Sequence, residues 1–174
     1  CWKMNIAIWQ KLDYLARSIT PFGLSLILLV LSVLPTHIPG YMQIAPILVL
    51  ISIYHWAIYR PNLLPIFAVF ILGLLQDLLL GTPVGLYILV FLTVYGVVLS
   101  QRRFFVSKSF TVYWFGFAGI SMLASIESYF LGSIWNVTLL DFNAATFQYL
   151  ILLGIFPLVA WVFLRWQQTF LQQD

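Results

Sequence analysis

Six apolar runs divide this chain, and its basic residues fall only in alternate gaps between them, a pattern that leaves little choice of fold. Lys3, Lys11 and Arg17 precede the first run, Arg60 follows the second, Arg102, Arg103 and Lys108 follow the fourth, and Arg165 follows the sixth. These are all eight of its Lys and Arg residues. Cytoplasmic loops of inner-membrane proteins carry the excess of basic side chains. The sorting therefore predicts a multi-pass protein of the bacterial inner membrane. Both termini, Arg60 and the Gln101 to Lys108 loop are expected in the cytoplasm, with His37, Thr82 and Asp141 outside.

Composition agrees. Hydrophobic residues make up 63% of the 174, charged residues 7%, and the mean hydropathy is +1.02, whereas soluble domains carry about 25% charged residues. A spanning helix needs roughly 20 residues, so six nearly use up the chain. The expectation is an all-α polytopic membrane protein with six transmembrane helices and short loops. Residues 1–18 form a cytoplasmic N-terminal amphipathic segment, 19–166 the membrane domain and 167–174 a cytoplasmic tail. No room remains for a catalytic domain, and no nucleic-acid partner is expected.

The runs are Ile19 to Leu34, Ile44 to Tyr59, Leu63 to Leu80, Val84 to Ser100, Ser109 to Leu131 and Thr146 to Leu164. Pro21 is expected near a helix start, where its missing N–H costs nothing. The turn-forming stretch PTHIPGYMQ separates the first two runs, and the tight connections Arg60-Pro61-Asn62 and Gly81-Thr82-Pro83 flank the third, which forces antiparallel neighbours. Before the first run, Ile8, Leu12, Leu15 and Ile19 recur at helical spacing opposite Gln10, Asp13 and Arg17. This is either a helix lying in the inner headgroup layer, anchored by Trp9, or an extension of the first span. A lipid-bearing Cys1 would put Lys3, Lys11 and Arg17 on the translocated side; a start at Met4 is the plainer expectation, and no cleavable signal peptide pattern is present. One cysteine supplies neither a disulfide framework nor a metal cluster.

Two acids lie within the runs. Asp77 and Glu127 each fall about one turn inside the outer end of their span, at similar expected depth. No Lys or Arg lies on that side to pair with them, and His37 is the only basic side chain there. Each is thus protonated, bonded to polar neighbours such as Gln76, open to an outer cleft, or paired with another chain. Nothing supports general acid and base chemistry: no nucleophile stands beside a base, and there is no metal-binding or phosphate-loop motif. No catalytic residue, cofactor or metal is expected. His55, Trp56, Tyr59 and Arg60 read as an interfacial cluster at the inner headgroups. Arg102, Arg103 and Lys108, with Phe104 and Phe105, form a basic inner loop that either binds a cytoplasmic filament or lies on anionic lipid.

Small residues mark two packing faces. Ala118, Ser121, Ser125, Ser128 and Gly132 line one side of the fifth helix, with Glu127 beside them. Gly73, Asp77 and Gly81 lie one above another on the third. Each face can serve packing within the chain, a partner's helix, or a homodimer.

The segment His55 to Phe105 resembles the central region of the rod-shape-determining membrane protein family MreD. Its aromatic-rich second helix ends in an Arg-Pro turn, the GLLQDLLLGTPVGL hairpin of Gly73 to Leu86 follows, and a basic inner loop comes next. The resemblance implies a non-enzymatic scaffold of the lateral peptidoglycan synthesis complex. Its implied partners are an MreC-like bitopic periplasmic protein, an MreB-like filament, and a SEDS glycosyltransferase with its transpeptidase. It also implies a distant likeness to the S components of energy-coupling-factor transporters. That likeness does not carry a ligand with it; the alternative reading is a small-molecule-binding transport subunit with Asp77 and Glu127 near an outward pocket.

Overall fold

The computed structural model describes the backbone of residues 2–34, 48–137 and 141–170, with the side chains of those residues apart from 2–7, 12–15, 17–18 and 170. It contains six helices among the described residues: α1 Trp2–Val33, α2 Leu48–Tyr59, α3 Ile66–Leu80, α4 Leu86–Val106, α5 Phe110–Asn136 and α6 Phe142–Phe170. The last three are long and apolar enough to cross a membrane, while α2, α3 and the Ile19–Val33 part of α1 are shorter apolar helices. The stretch PTHIPGYMQ with His37, and the end of the tail at 171–174, lie outside the described residues.

α2 is the hub, packing against α1, α4, α5 and α6. Every residue from Val49 to Ile58 is buried, which suits a helix that is apolar on all sides. Its polar groups are met from neighbours: Ser52 shares a 2.6 Å hydrogen bond with Ser25 of α1, and the Tyr54 hydroxyl donates to the Tyr113 carbonyl at 2.8 Å. Around Tyr54 gather Phe105, Tyr113, Phe117 and Phe156. Phe117 and Phe156 stack with centroids 4.0 Å apart and join α5 to α6. Gly116 makes this cluster possible, because a Cβ there would overlap Phe105 and the Tyr54 hydroxyl.

Both helical prolines sit in helix interiors. Pro21 lies well inside α1, not near its start as its position at the beginning of the first run suggests, because α1 begins at Trp2. The 32-residue helix is about 48 Å long, more than the roughly 30 Å of a hydrocarbon core requires. From Trp2 onward, the residues before the first apolar run belong to the same helix as that run. In α6, Pro157 lacks the N–H that would have bonded Leu153 one turn earlier. The Trp114 indole of α5 donates to that carbonyl at 3.4 Å, the kind of substitute donor a lipid-immersed backbone needs.

Helix ends depart from hydropathy ends. α3 starts at Ile66, after an extended Pro65, and its preceding Leu64 carbonyl accepts the Tyr95 hydroxyl at 2.8 Å. α4 starts at Leu86 and runs to Val106, past the polar Ser100-Gln101-Arg102-Arg103, since nothing there breaks a helix. Arg102 and Arg103 therefore belong to α4, and the basic loop shrinks to Ser107-Lys108-Ser109. α5 continues from Leu131 to Asn136, α6 reaches back from Thr146 to Phe142, and the Asp141 carboxylate caps α6 by accepting the Asn143 N–H at 3.0 Å.

Candidate functional site

The most developed polar arrangement is the α3–α4 turn. Asp77, in the last turn of α3, is fully buried, and its carboxylate reaches across to the start of α4. Oδ1 accepts the Thr82 hydroxyl at 2.8 Å and the Tyr87 N–H at 3.0 Å, while Oδ2 accepts the Gly85 N–H at 2.9 Å. The first N–H groups of a helix have no intrahelical partner, and α4 has no cap of its own, its N-cap being Gly85. Asp77 supplies that cap from the preceding helix, and a negative group there also faces the favourable end of the α4 dipole.

The surrounding residues shape the turn to the carboxylate. Gly81 (φ +67°) and Gly85 (φ +114°) adopt left-handed conformations that favour glycine. The Gly81 and Thr82 N–H groups both return to the Asp77 carbonyl and close α3. One turn further back, a Cβ on Gly73 would stand 2.6 Å from the Ile88 Cα. Only glycine lets the two backbones approach so closely.

Glu127 is a different case. On α5 it meets Thr93 of α4, whose hydroxyl donates to Oε1 at 3.1 Å, while Oε2 is buried and has no hydrogen-bond partner. Both acids thus contact α4, but at Tyr87 and at Thr93, positions about 9 Å apart along the helix. The expected similar depth is corrected: α5 extends to Asn136, which puts Glu127 two and a half turns from its end. Gln76, buried beside Asp77, does not bond the carboxylate, and its Oε1 has no partner.

On the small-residue face of α5, Ala118 and Ser125 lie toward α6 of the same chain. The Tyr149 hydroxyl donates to the Ala118 carbonyl at 3.0 Å, Ser121 and Ser128 bond back to Ala118 and Ser125, and Gly132 accepts from Asn136. Higher up, the two helices part into an apolar groove of about 330 Å³, lined by Met122, Ser125, Tyr129, Phe130, Phe142 and Tyr149 among others. Neither Asp77 nor Glu127 lines it, so the two acids and this groove do not form one pocket.

At the opposite end of the bundle, His55 and Trp56 are fully buried. This corrects the interfacial cluster: α5 and α6 extend past α2 and cover both rings. His55 Nδ1 pairs with the Tyr113 hydroxyl at 2.9 Å, and its ring lies 5.3 Å from Phe163 of α6. Tyr59 and Arg60 are half-buried. Arg102 is half-buried on α4, whereas Arg103 and Lys108 are exposed. Sequence reasoning missed Thr82, Gly85 and Tyr87 as partners of Asp77, Thr93 as partner of Glu127, and Tyr113 as partner of His55. The GTPVG run was the available signal for the first set.

Comparison with known proteins gives one positive finding. A family model described as rod shape-determining protein MreD matches residues 14–172, nearly the whole chain. No curated protein and no solved structure matches.

Proposed function

The chain belongs to the MreD family of rod shape-determining proteins, and from that premise we propose that it is a non-enzymatic, six-span scaffold of the bacterial inner membrane, docking other helices of the cell-elongation complex. Its partners are those the family resemblance implies, an MreC-like bitopic protein foremost. The observation that carries this reading is how polar and apolar groups are divided. The Asp77 carboxylate is bonded within the α3–α4 turn and the Ser121 and Ser128 hydroxyls bond back to carbonyls of α5 itself, whereas large apolar side chains of α5 and α6, among them Phe130, Phe147, Leu158 and Trp161, face outward. A surface of that kind offers packing to another transmembrane segment, and the apolar α5–α6 groove offers little to recognise a polar solute.

Filling the groove tests the docking face. Ser125→Leu and Ala145→Leu should leave the protein inserted and reduce copurification of the bitopic periplasmic partner from native membranes, with loss of rod shape. Full copurification and normal rods in both variants would overturn it. Cysteine-accessibility labelling tests the threading separately. Cysteines at Thr82 and Asp141 should label from outside and one at Ser107 only from inside; external labelling at Ser107 would overturn the six-span topology.

A further inference from the structure

We propose that the α4–α5 turn is a seat for the headgroups of anionic phospholipids. This goes beyond the scaffold reading and does not depend on it. Arg103, Phe104, Val106, Lys108 and Phe110 are all exposed within eight residues, the three apolar ones at 57%, 52% and 48%. Phe104 packs edge-on against Phe105, centroids 5.4 Å apart, and Phe105 is anchored in the aromatic core. The Lys108 ammonium lies 5.3 Å from the centre of the Phe104 ring, an attraction between cation and ring face. The lysine is thus drawn against an outward-facing aromatic ring.

Charge complementarity points to an anion. No Asp or Glu occurs between Asp77 and Glu127, so neither α4 nor α5 supplies a nearby carboxylate to these cations. Exposed aromatics interleaved with cations match the boundary of a bilayer, where rings sit at headgroup level and basic groups meet lipid phosphates. An acidic protein surface would satisfy the charges but would leave Phe104, Val106 and Phe110 without an apolar counterpart. A phospholipid satisfies both, with phosphate at Arg103 and Lys108 and upper acyl methylenes against the rings.

The test is native mass spectrometry of the full chain in mild detergent, titrated with phosphatidylglycerol or with phosphatidylcholine. The wild-type chain should prefer phosphatidylglycerol. Each basic group is worth about fivefold in affinity, so R103Q/K108Q should lower that preference roughly 25-fold, and Phe104→Ala, with both charges retained, roughly threefold. A cysteine at Ser107 checks that each variant keeps its threading. Should the double substitution reverse insertion, R103Q and K108Q singly, about fivefold each, carry the test. An unchanged preference overturns the proposal. So does an equal loss in R165Q on α6, which would show an effect of net charge. Retained lipid preference with loss of a cytoplasmic protein from native membranes also overturns it, and would make the turn a protein-binding surface.

Discussion

At the α3–α4 turn the Asp77 carboxylate accepts from Thr82, Gly85 and Tyr87, whereas about 9 Å along the same helix the Glu127 carboxylate accepts from Thr93 alone. Two acids placed alike in their apolar runs therefore do different work. Asp77 substitutes for a missing helix cap and holds a turn whose backbone donors have few other acceptors. Glu127 contributes one bond between neighbouring helices and keeps an oxygen buried and unbonded. An acid within a span is informative through the donors that converge on it, and its presence alone does not make it functional.

The contrast can be broken most easily at Asp77. Asp77→Leu should be the most damaging change, because it leaves two N–H groups and a hydroxyl without an acceptor, each costing about 1–3 kcal/mol, for a total of at least about 3 kcal/mol. Loss of the folded fraction in a denaturant titration in detergent would show it; a near-normal midpoint would mean that water replaces the carboxylate. Gly73→Ala should follow at about 2 kcal/mol, since its Cβ meets the Ile88 backbone, which cannot swing aside as a side-chain tip can. Spacing of cysteines on α3 and α4, read by crosslinking yield, should increase.

Asp77→Asn comes next. An amide offers one accepting oxygen where the carboxylate offers two, so the lower-cost orientation keeps the Thr82 and Tyr87 donors and leaves the Gly85 N–H without a partner, at about 1–2 kcal/mol. The smallest effect belongs to Glu127→Gln, which retains the Thr93 bond and should shift the same midpoint by no more than about 0.5 kcal/mol. A Glu127→Gln loss as large as that of Asp77→Leu would erase the contrast and show that the unbonded oxygen has a partner in the membrane.

Much of this arrangement could be read from residue order. The apolar runs locate the helices, and Gly73 marks the close approach of α3 to α4; Gly81, expected on the same packing face, instead ends α3 in a left-handed conformation with open space where a Cβ would stand. What lies against that face could not be read, because the donors to Asp77 are mostly backbone amides and become available only through the left-handed conformations at Gly81 and Gly85. Hydropathy also mistook the end of an apolar run for the end of a helix. α5 continues five residues beyond Leu131 and α4 six beyond Ser100, which displaced Glu127 in depth and turned Arg102 and Arg103 from loop to helix. His55 and Trp56 were misplaced for a related reason. Their nearness to Arg60 suggests a boundary, but burial is set by α5 and α6, which reach past them.

The Asp77 bonds also bear on the order in which the molecule is assembled. Its partners lie only five, eight and ten residues downstream, while Thr93 and Glu127 are separated by 34. Contacts so close along the chain carry little loop-closure entropy and can form early. The α3–α4 pair can therefore close once the start of α4 has been made, with its carboxylate already sheltered before α5 is added. Glu127 has no such shelter until α5 follows and meets a partner surface that is already built.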